Sequence, residues 1–315
     1  MTLITAPIAW LGRNATIMVA LAVFIGLLWQ DLAAALKPLL VPAILLPFIA
    51  ALVRLEPARL LDAMPLKLLI PLMLWQLAGC ALLIWAIGQL VPLASVQGYL
   101  ITTAASAPLM ASPAIAMLLG LNVPLAVGGT VFATLLLPLT LPPVVLSLAG
   151  LEIDLNAFDI SLRLGSLIAV SIAIAWAVRW HFGLARLQAQ SEIIAGLAVL
   201  GLAVFAIAIM DGAAALFNEA PRYVILCAVA AFALNAGLQA VTFALLTGFF
   251  GLRTALTMAL LAGNNNIGIV LASTIDQASV EFAIYVAMAQ FPIYLLPAIQ
   301  RPIYRRWLKA HAQQH

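Results

Sequence analysis

The chain has 315 residues, 66% hydrophobic and 8% charged, with a net charge of +3 and a mean hydropathy of +1.18. That composition excludes a soluble domain with a large core and marks an integral membrane protein built from helices. The small positive charge does not argue for nucleic acid, because basic residues beside apolar segments ordinarily set membrane orientation.

Metal and redox chemistry find few ligands. Cys80 and Cys227 each sit inside an apolar run and read as small buried hydrophobes, not as a disulfide or metal pair. His181, His311 and His315 lie beside apolar runs or in the tail, so no histidine is expected at membrane depth to bind metal or relay protons.

Hydropathy runs separated by charged or turn residues predict ten spans, at about 8–29, 36–53, 67–91, 95–119, 123–149, 161–180, 191–211, 222–250, 251–275 and 280–304. Arg13, the run 15–28 and Ala33 to Ala35 imitate a cleaved signal peptide. Ile8 to Trp10 is also apolar, however, and the stretch is read as a retained first span. The second span carries Pro38, Pro42 and Pro47 and is expected to kink; the fifth carries Pro124, Pro138, Pro142 and Pro143.

An even number of spans puts both termini on one side. With them in the cytoplasm, Arg13, Arg54, Arg59, Lys67, Arg179, Arg186, Arg253, Arg301, Arg305, Arg306 and Lys309 are cytoplasmic, and only Lys37, Arg163 and Arg222 face out. That asymmetry is what the positive-inside rule asks for, and the acids fall mostly outside: Asp31, Glu152, Asp154, Asp159, Asp211, Glu219, Asp276 and Glu281. Arg301 to Lys309, with Tyr304 and Trp307, read as an interface anchor ending the last span.

The polar loop 151–159 divides the chain into a first repeat, 1–150, and a second, 151–315, each of five spans. An odd number of spans per repeat inserts the two repeats in opposite directions, the inverted arrangement common among secondary transporters. In both, the fourth span is interrupted. Span 95–119 contains Ser106, Pro108, Ser112 and Pro113, and span 251–275 contains Gly263-Asn264-Asn265-Asn266-Ile267-Gly268 between flanks too short to cross alone. Irregular backbone at membrane depth is tolerated where it lines a cavity or is buried in protein, and paired interruptions point to a transporter's binding site.

The candidate binding residues follow from that placement. Asn264, Asn265 and Asn266 both donate and accept beside free helix ends, and Ser106 and Ser112 adjoin the carbonyls released by Pro108 and Pro113. Gln76 is a carboxamide inside an apolar span and must find partners. Thr130 and Thr134 share one face of the fifth span at helical spacing, and Gly128 and Gly129 would admit a neighbouring backbone. Asn235 and Gln239 repeat the i, i+4 spacing in the eighth span and read as interhelical packing. No Asp, Glu, Lys, Arg or His falls clearly at the midplane, which disfavours proton coupling through a side chain.

These residues resemble the bile acid:sodium symporter family. Trp75-Gln76 looks like its third-span glutamine, and Ala107-Pro108 with Ser112 is similar to its first crossing. Thr130 and Thr134-Leu135 through Pro138 resemble the helix that follows, and Arg253-Thr254 leading to Gly263, Asn265, Asn266 and Gly268 resembles the second crossing. The resemblance implies that the fourth and ninth spans break and cross. It also implies a panel bundle of spans 1, 2, 6 and 7 and a core bundle of spans 3–5 and 8–10, with alternating access between them. Gln76, Ser112, Thr130 and Asn265 match family sodium ligands.

The chain departs from the family at the glutamate that serves the sodium sites: Leu261 or Ala259 stands there, depending on the gap. Leu109 and Met110 replace glycines, Pro113 replaces an asparagine and Ala126 a serine. The expected function is therefore secondary transport of a small anionic or amphipathic organic solute across the inner membrane, not enzymatic turnover. Na+ is the one ion the resemblance brings as a coupling partner, and no other cofactor is expected. A sodium-independent facilitator is the alternative, with a membrane receptor or enzyme behind it. Membrane lipid and a small solute, not nucleic acid, are the expected partners.

Overall fold

A computed structural model describes residues 5–55, 66–91, 93–150 and 156–312. Arg59, Glu152, Asp154, His315, the Arg13 side chain and most of the dividing loop 151–159 lie outside the described residues. Helices carry the fold. α1 (Thr5–Arg13) and α2 (Ala15–Leu28) come first, followed by α3 (Gln30–Arg54), α4 (Lys67–Leu90), α5 (Gln97–Ala104), α6 (Ser112–Leu119) and α7 (Val123–Ala149). Then follow α8 (Ala157–Phe182), α9 (Ser191–Glu219), α10 (Pro221–Leu246), α11 (Leu252–Gly263), α12 (Ile267–Ser273) and α13 (Val280–Ala312).

Among the described residues seven helices, α3, α4, α7 to α10 and α13, are long and apolar enough to cross a membrane, or eight if the bent α1–α2 pair is one span. The chain is an integral membrane protein of helical class. The stretch expected as a first single span bends where polar Asn14 interrupts the apolar run and turns its side-chain amide back to the Trp10 carbonyl at 2.9 Å. The second span, α3, starts earlier than expected, at Gln30, and takes up Pro38 in a 3-10 turn at Lys37–Leu39. Two other stretches expected as spans are each a pair of short helices, α5 with α6 and α11 with α12. At about 1.5 Å per residue, none of these four reaches the roughly 30 Å of a hydrocarbon core.

Backbone contacts divide the chain into two compact units, each assembled from three segments. Unit 1 comprises Met1–Glu56, Arg163–Leu226 and Gly268–Phe291. Within it α9 packs on α1, α2 and α3, and small residues set the distance: a Cβ on Gly196 would strike the Ile8 carbonyl. Phe48 and Phe205 are fully buried there. Two ion pairs lie at its polar ends, Lys37 to Asp211 at 2.8 Å and Arg163 to Asp276.

The Arg163 guanidinium donates to the exposed Asp276 carboxyl and so holds it below the usual carboxylate range. Because the folded group is the stronger acid, the pair's stabilisation is present above the ordinary carboxylate pKa and is lost as pH falls through the lowered one. Exposure and salt screen it. Asp276→Asn is expected to leave the thermal midpoint at neutral pH and high salt unchanged, with a small loss at low salt that shrinks on acidification. A large loss at high salt would contradict a screened surface pair.

Unit 2 comprises Pro57–Leu162, Cys227–Ile267 and Pro292–His315. Its buried side chains include Leu72, Ile101, Leu119, Leu125, Leu137 and Leu141. Both interrupted pairs meet within it, up to Ile267. α4 and α7 are continuous in spite of Pro71 and of Pro138, Pro142 and Pro143, each relaxing into a π-helical turn, at Trp75–Gly79 and Val145–Ala149. Such turns widen a helix by one residue and are frequent where a side chain must be re-aimed.

Candidate functional site

The two interruptions pair with each other. Pro108 and Asn265 form an isolated antiparallel bridge, in which Leu109 N donates to the Asn264 carbonyl at 2.7 Å and Asn266 N to the Ala107 carbonyl at 2.8 Å. Two strand-like residues thus satisfy, across the crossing, backbone groups that four short helices cannot satisfy within themselves. Proline fits here for a simple reason. The bridge pair itself exchanges no hydrogen bond, so the N–H that Pro108 lacks is not required. Pro113 likewise sits in the first turn of α6, where its missing donor would have had no helical partner. It starts a helix rather than interrupting one.

Gln76 joins the crossing from the π-turn of α4. Its Nε2 donates to Asn265 Oδ1 at 2.7 Å and to the Ser106 carbonyl at 3.2 Å, while Asn265 Nδ2 donates to the Ala262 carbonyl at 3.0 Å. Two backbone carbonyls therefore fix both amides. Since the Gln76 nitrogen has both hydrogens engaged, its Oε1 is the atom left over, and it has no partner. Neighbouring Trp75 is pinned to α10 through Nε1 donating to Thr242 Oγ1 at 2.8 Å.

Four more polar atoms at residues 96% or more buried lack partners: Ser112 Oγ, Thr130 Oγ1, Asn264 Nδ2 and Asn266 Oδ1. Buried polar groups are ordinarily satisfied, so these atoms are open to water or a ligand; Tyr294 Oη, Gln300 Oε1 and Arg301 Nε on α13 are unpartnered as well. The other predicted residues are engaged. Ser106 Oγ bonds back to the Thr102 carbonyl and Thr134 Oγ1 to the Thr130 carbonyl, both at 2.8 Å, so Ser106 meets the crossing through its carbonyl and Thr134 is held on its own helix. Gly129 faces the side chains of Leu261 and Leu72, not another backbone.

The helix-break glycines differ in role. A Cβ on Gly263 would collide with the Asn235 carbonyl and Gln239 Cγ, so α11 ends directly against α10. Gly268 lies past the point where the chain passes into unit 1, against the ring edge of Phe205 and Ile44 Cδ1. Asn122 anchors the start of α7 by accepting from Leu125 N and, through its own N–H, donating to Thr257 Oγ1 of α11 at 3.0 Å.

Asn235 and Gln239, read above as packing residues, belong to a polar line that reaches the crossing. Gln239 Nε2 donates to Asn235 Oδ1 at 2.7 Å, Gln300 Nε2 and Tyr304 Oη donate to Gln239 Oε1 at 2.9 and 3.3 Å, and Asn235 Nδ2 meets Asn264 Oδ1 at 3.5 Å. The i, i+4 carboxamides were the sequence signal for it; Gln300 and Tyr304 carried none.

The chemistry on offer is uncharged. Among the described residues no Asp, Glu, Lys, Arg or His is fully buried, and no group of three His, Cys, Asp or Glu side chains forms. Gln76 Oε1, Ser112 Oγ and Thr130 Oγ1 are neutral oxygens of the type that suits a hard cation such as Na+, whereas Asn265 Oδ1 is already taken by Gln76. Asn264 Nδ2 is an open donor. No protein-family model matches the chain, and no curated protein matches it.

Proposed function

We propose that the protein is a secondary transporter that moves a small anionic or amphipathic organic solute by alternating access, with the fold of the bile acid:sodium symporter family. In this reading ten spans form two inverted five-span repeats, and the solute is held at the crossing by Asn264, Asn266, Ser112 and the helix ends. The protein sits in the inner membrane with both termini cytoplasmic, a topology supported by the distribution of Lys and Arg. The observation that carries the reading is the Pro108–Asn265 bridge, together with unpartnered buried polar atoms on Gln76, Ser112, Thr130, Asn264 and Asn266. Paired broken helices with free polar groups are how transporters make a midplane site without charge. The segmentation of unit 2, which gathers 57–162, 227–267 and 292–315, supports a core bundle drawn from both repeats.

Sodium coupling would run through Gln76, Ser112 and Thr130. The absence of a buried acid among the described residues favours a second reading, a sodium-independent facilitator. Thermal-shift screening of purified protein against organic acids, in sodium, potassium and choline salts, separates the two. A solute that stabilises equally in all three salts selects the facilitator, and one that requires sodium selects the symporter. In vesicles, Asn265→Ala and Asn266→Ala are each expected to reduce uptake of that solute at least about tenfold. Unchanged uptake in both would move the site elsewhere.

A further inference from the structure

The polar line behind the crossing has a direction. Gln239 turns its oxygen toward α13, where it accepts from both Gln300 and Tyr304, and its nitrogen toward Asn235. Asn235 in turn directs its nitrogen at Asn264, and the Asn264 nitrogen is left open. Every carboxamide points its donor at the crossing. One carbonyl oxygen with two lone pairs takes two donors readily, whereas an NH2 in its place would leave the hydroxyl hydrogen of Tyr304, a residue only 7% exposed, to find another acceptor. The line is also rigid. Asn235 and Gln239 are each 4% exposed, Gly263 leaves no space between α11 and α10, and Trp307 stacks on both Tyr304 and Phe243 with ring centroids 6.1 and 5.8 Å apart.

We propose that Gln239 is a positioning residue which, through Asn235, holds the Asn264 carboxamide with its N–H open at the crossing. The site then offers a donor at Asn264 and an acceptor at Gln76 Oε1, the latter fixed independently by the Ser106 and Ala262 carbonyls. A solute oxygen is accepted at the Asn264 N–H, a position that offers an ammonium group no acceptor. This last step rests on the transport reading; the positioning itself does not.

The test has two arms on the full-length purified protein. In the first, asparagine side-chain amide resonances are recorded by NMR without any solute, Asn264 being assigned from the spectrum of Asn264→Ala. Gln239→Met, which keeps length and loses the amide, is expected to move the Asn264 resonance and to leave Asn122, held by Leu125 N, unmoved. Tyr304→Phe, which removes one of two donors, is expected to move it less. An unmoved Asn264 resonance in folded Gln239→Met, or in Tyr304→Phe should the first variant fail to fold, reduces Gln239 to packing and overturns the proposal.

In the second arm, thermal stabilisation by cyclohexylacetate and by cyclohexylethylamine is compared. The wild type is expected to respond to the carboxylate, and Gln239→Met to require about tenfold more of it with any response to the ammonium unchanged. A response to the ammonium alone overturns the donor-outward orientation. A response to neither counts against the transport reading, while the amide spectrum still decides the role of Gln239.

Discussion

Gly263→Ala is expected to lower the thermal midpoint markedly and to abolish solute uptake, while Gly268→Ala costs little. Both glycines flank the same run of carboxamides, and from the sequence they are equivalent. Their surroundings are not. The added methyl at 263 meets a main-chain carbonyl, that of Asn235, together with the Gln239 stem, so relief requires α11 or α10 to shift as a body. Overpacking of that kind costs about 1–3 kcal/mol. The shift would also part Asn264 from Asn235, whose 3.5 Å contact has no slack, and would pull on the Leu109–Asn264 and Asn266–Ala107 hydrogen bonds. At 268 the methyl meets Phe205 Cζ at 2.8 Å and Ile44 Cδ1 at 3.2 Å, side-chain tips that can give by a few tenths of an ångström without a helix moving. Differential scanning fluorimetry of the two variants, followed by vesicle uptake, checks the contrast. Equal losses at both positions would mean that the break tolerates no side chain for backbone reasons, not because α10 stands behind it.

The difference between those glycines marks how far the sequence could be read. Membrane character and the two interruptions were legible, because three carboxamides and two prolines inside apolar runs cost too much to be accidental. That Pro108 and Asn265 pair was not legible, since a two-residue bridge leaves no periodicity. Nor were the π-turns, which arise where a proline inside a helix must be accommodated and which leave hydropathy unchanged. The bend at Asn14 was hidden for the opposite reason: one polar residue between two apolar runs reads as part of a single span. The continuation of the polar line from Gln239 to Gln300 and Tyr304 escaped because those partners lie 61 and 65 residues away, and Tyr304 alone looks like an interface anchor. Which hydroxyl is free was equally invisible. Ser106 and Ser112 are alike in sequence, yet one bonds back to its own helix and the other has no partner.

Gln76 gives the sharpest separation of structure from function. Gln76→Leu, close to it in volume, removes the donor that both Asn265 Oδ1 and the Ser106 carbonyl use. In water such a loss would be minor, but these acceptors are buried and cannot turn to solvent, at a cost of about 1–3 kcal/mol each in protein interiors. The variant also removes an orphan, Gln76 Oε1, which returns part of that cost. Hydrogen bonds between membrane helices average only about 0.6 kcal/mol, so the net loss of stability is expected near the low end, about 1–2 kcal/mol. Uptake should suffer far more. The Ala262 carbonyl still holds the Asn265 nitrogen, so Asn265 Oδ1 stays in place without its donor, and the Gln76 Oε1 acceptor, whose direction the Ser106 carbonyl fixes, disappears from the crossing. A fall in uptake of about a hundredfold, with a thermal midpoint lowered by only a few degrees, is the expected pair of results. If both measurements fell in proportion across Gln76→Leu, Gln76→Ala and Gln76→Asn, Gln76 would be a brace for the crossing and the unpartnered oxygen would have no ligand. If Gln76→Asn recovered stability but not uptake, the reach of Oε1 into the site would be the property that matters.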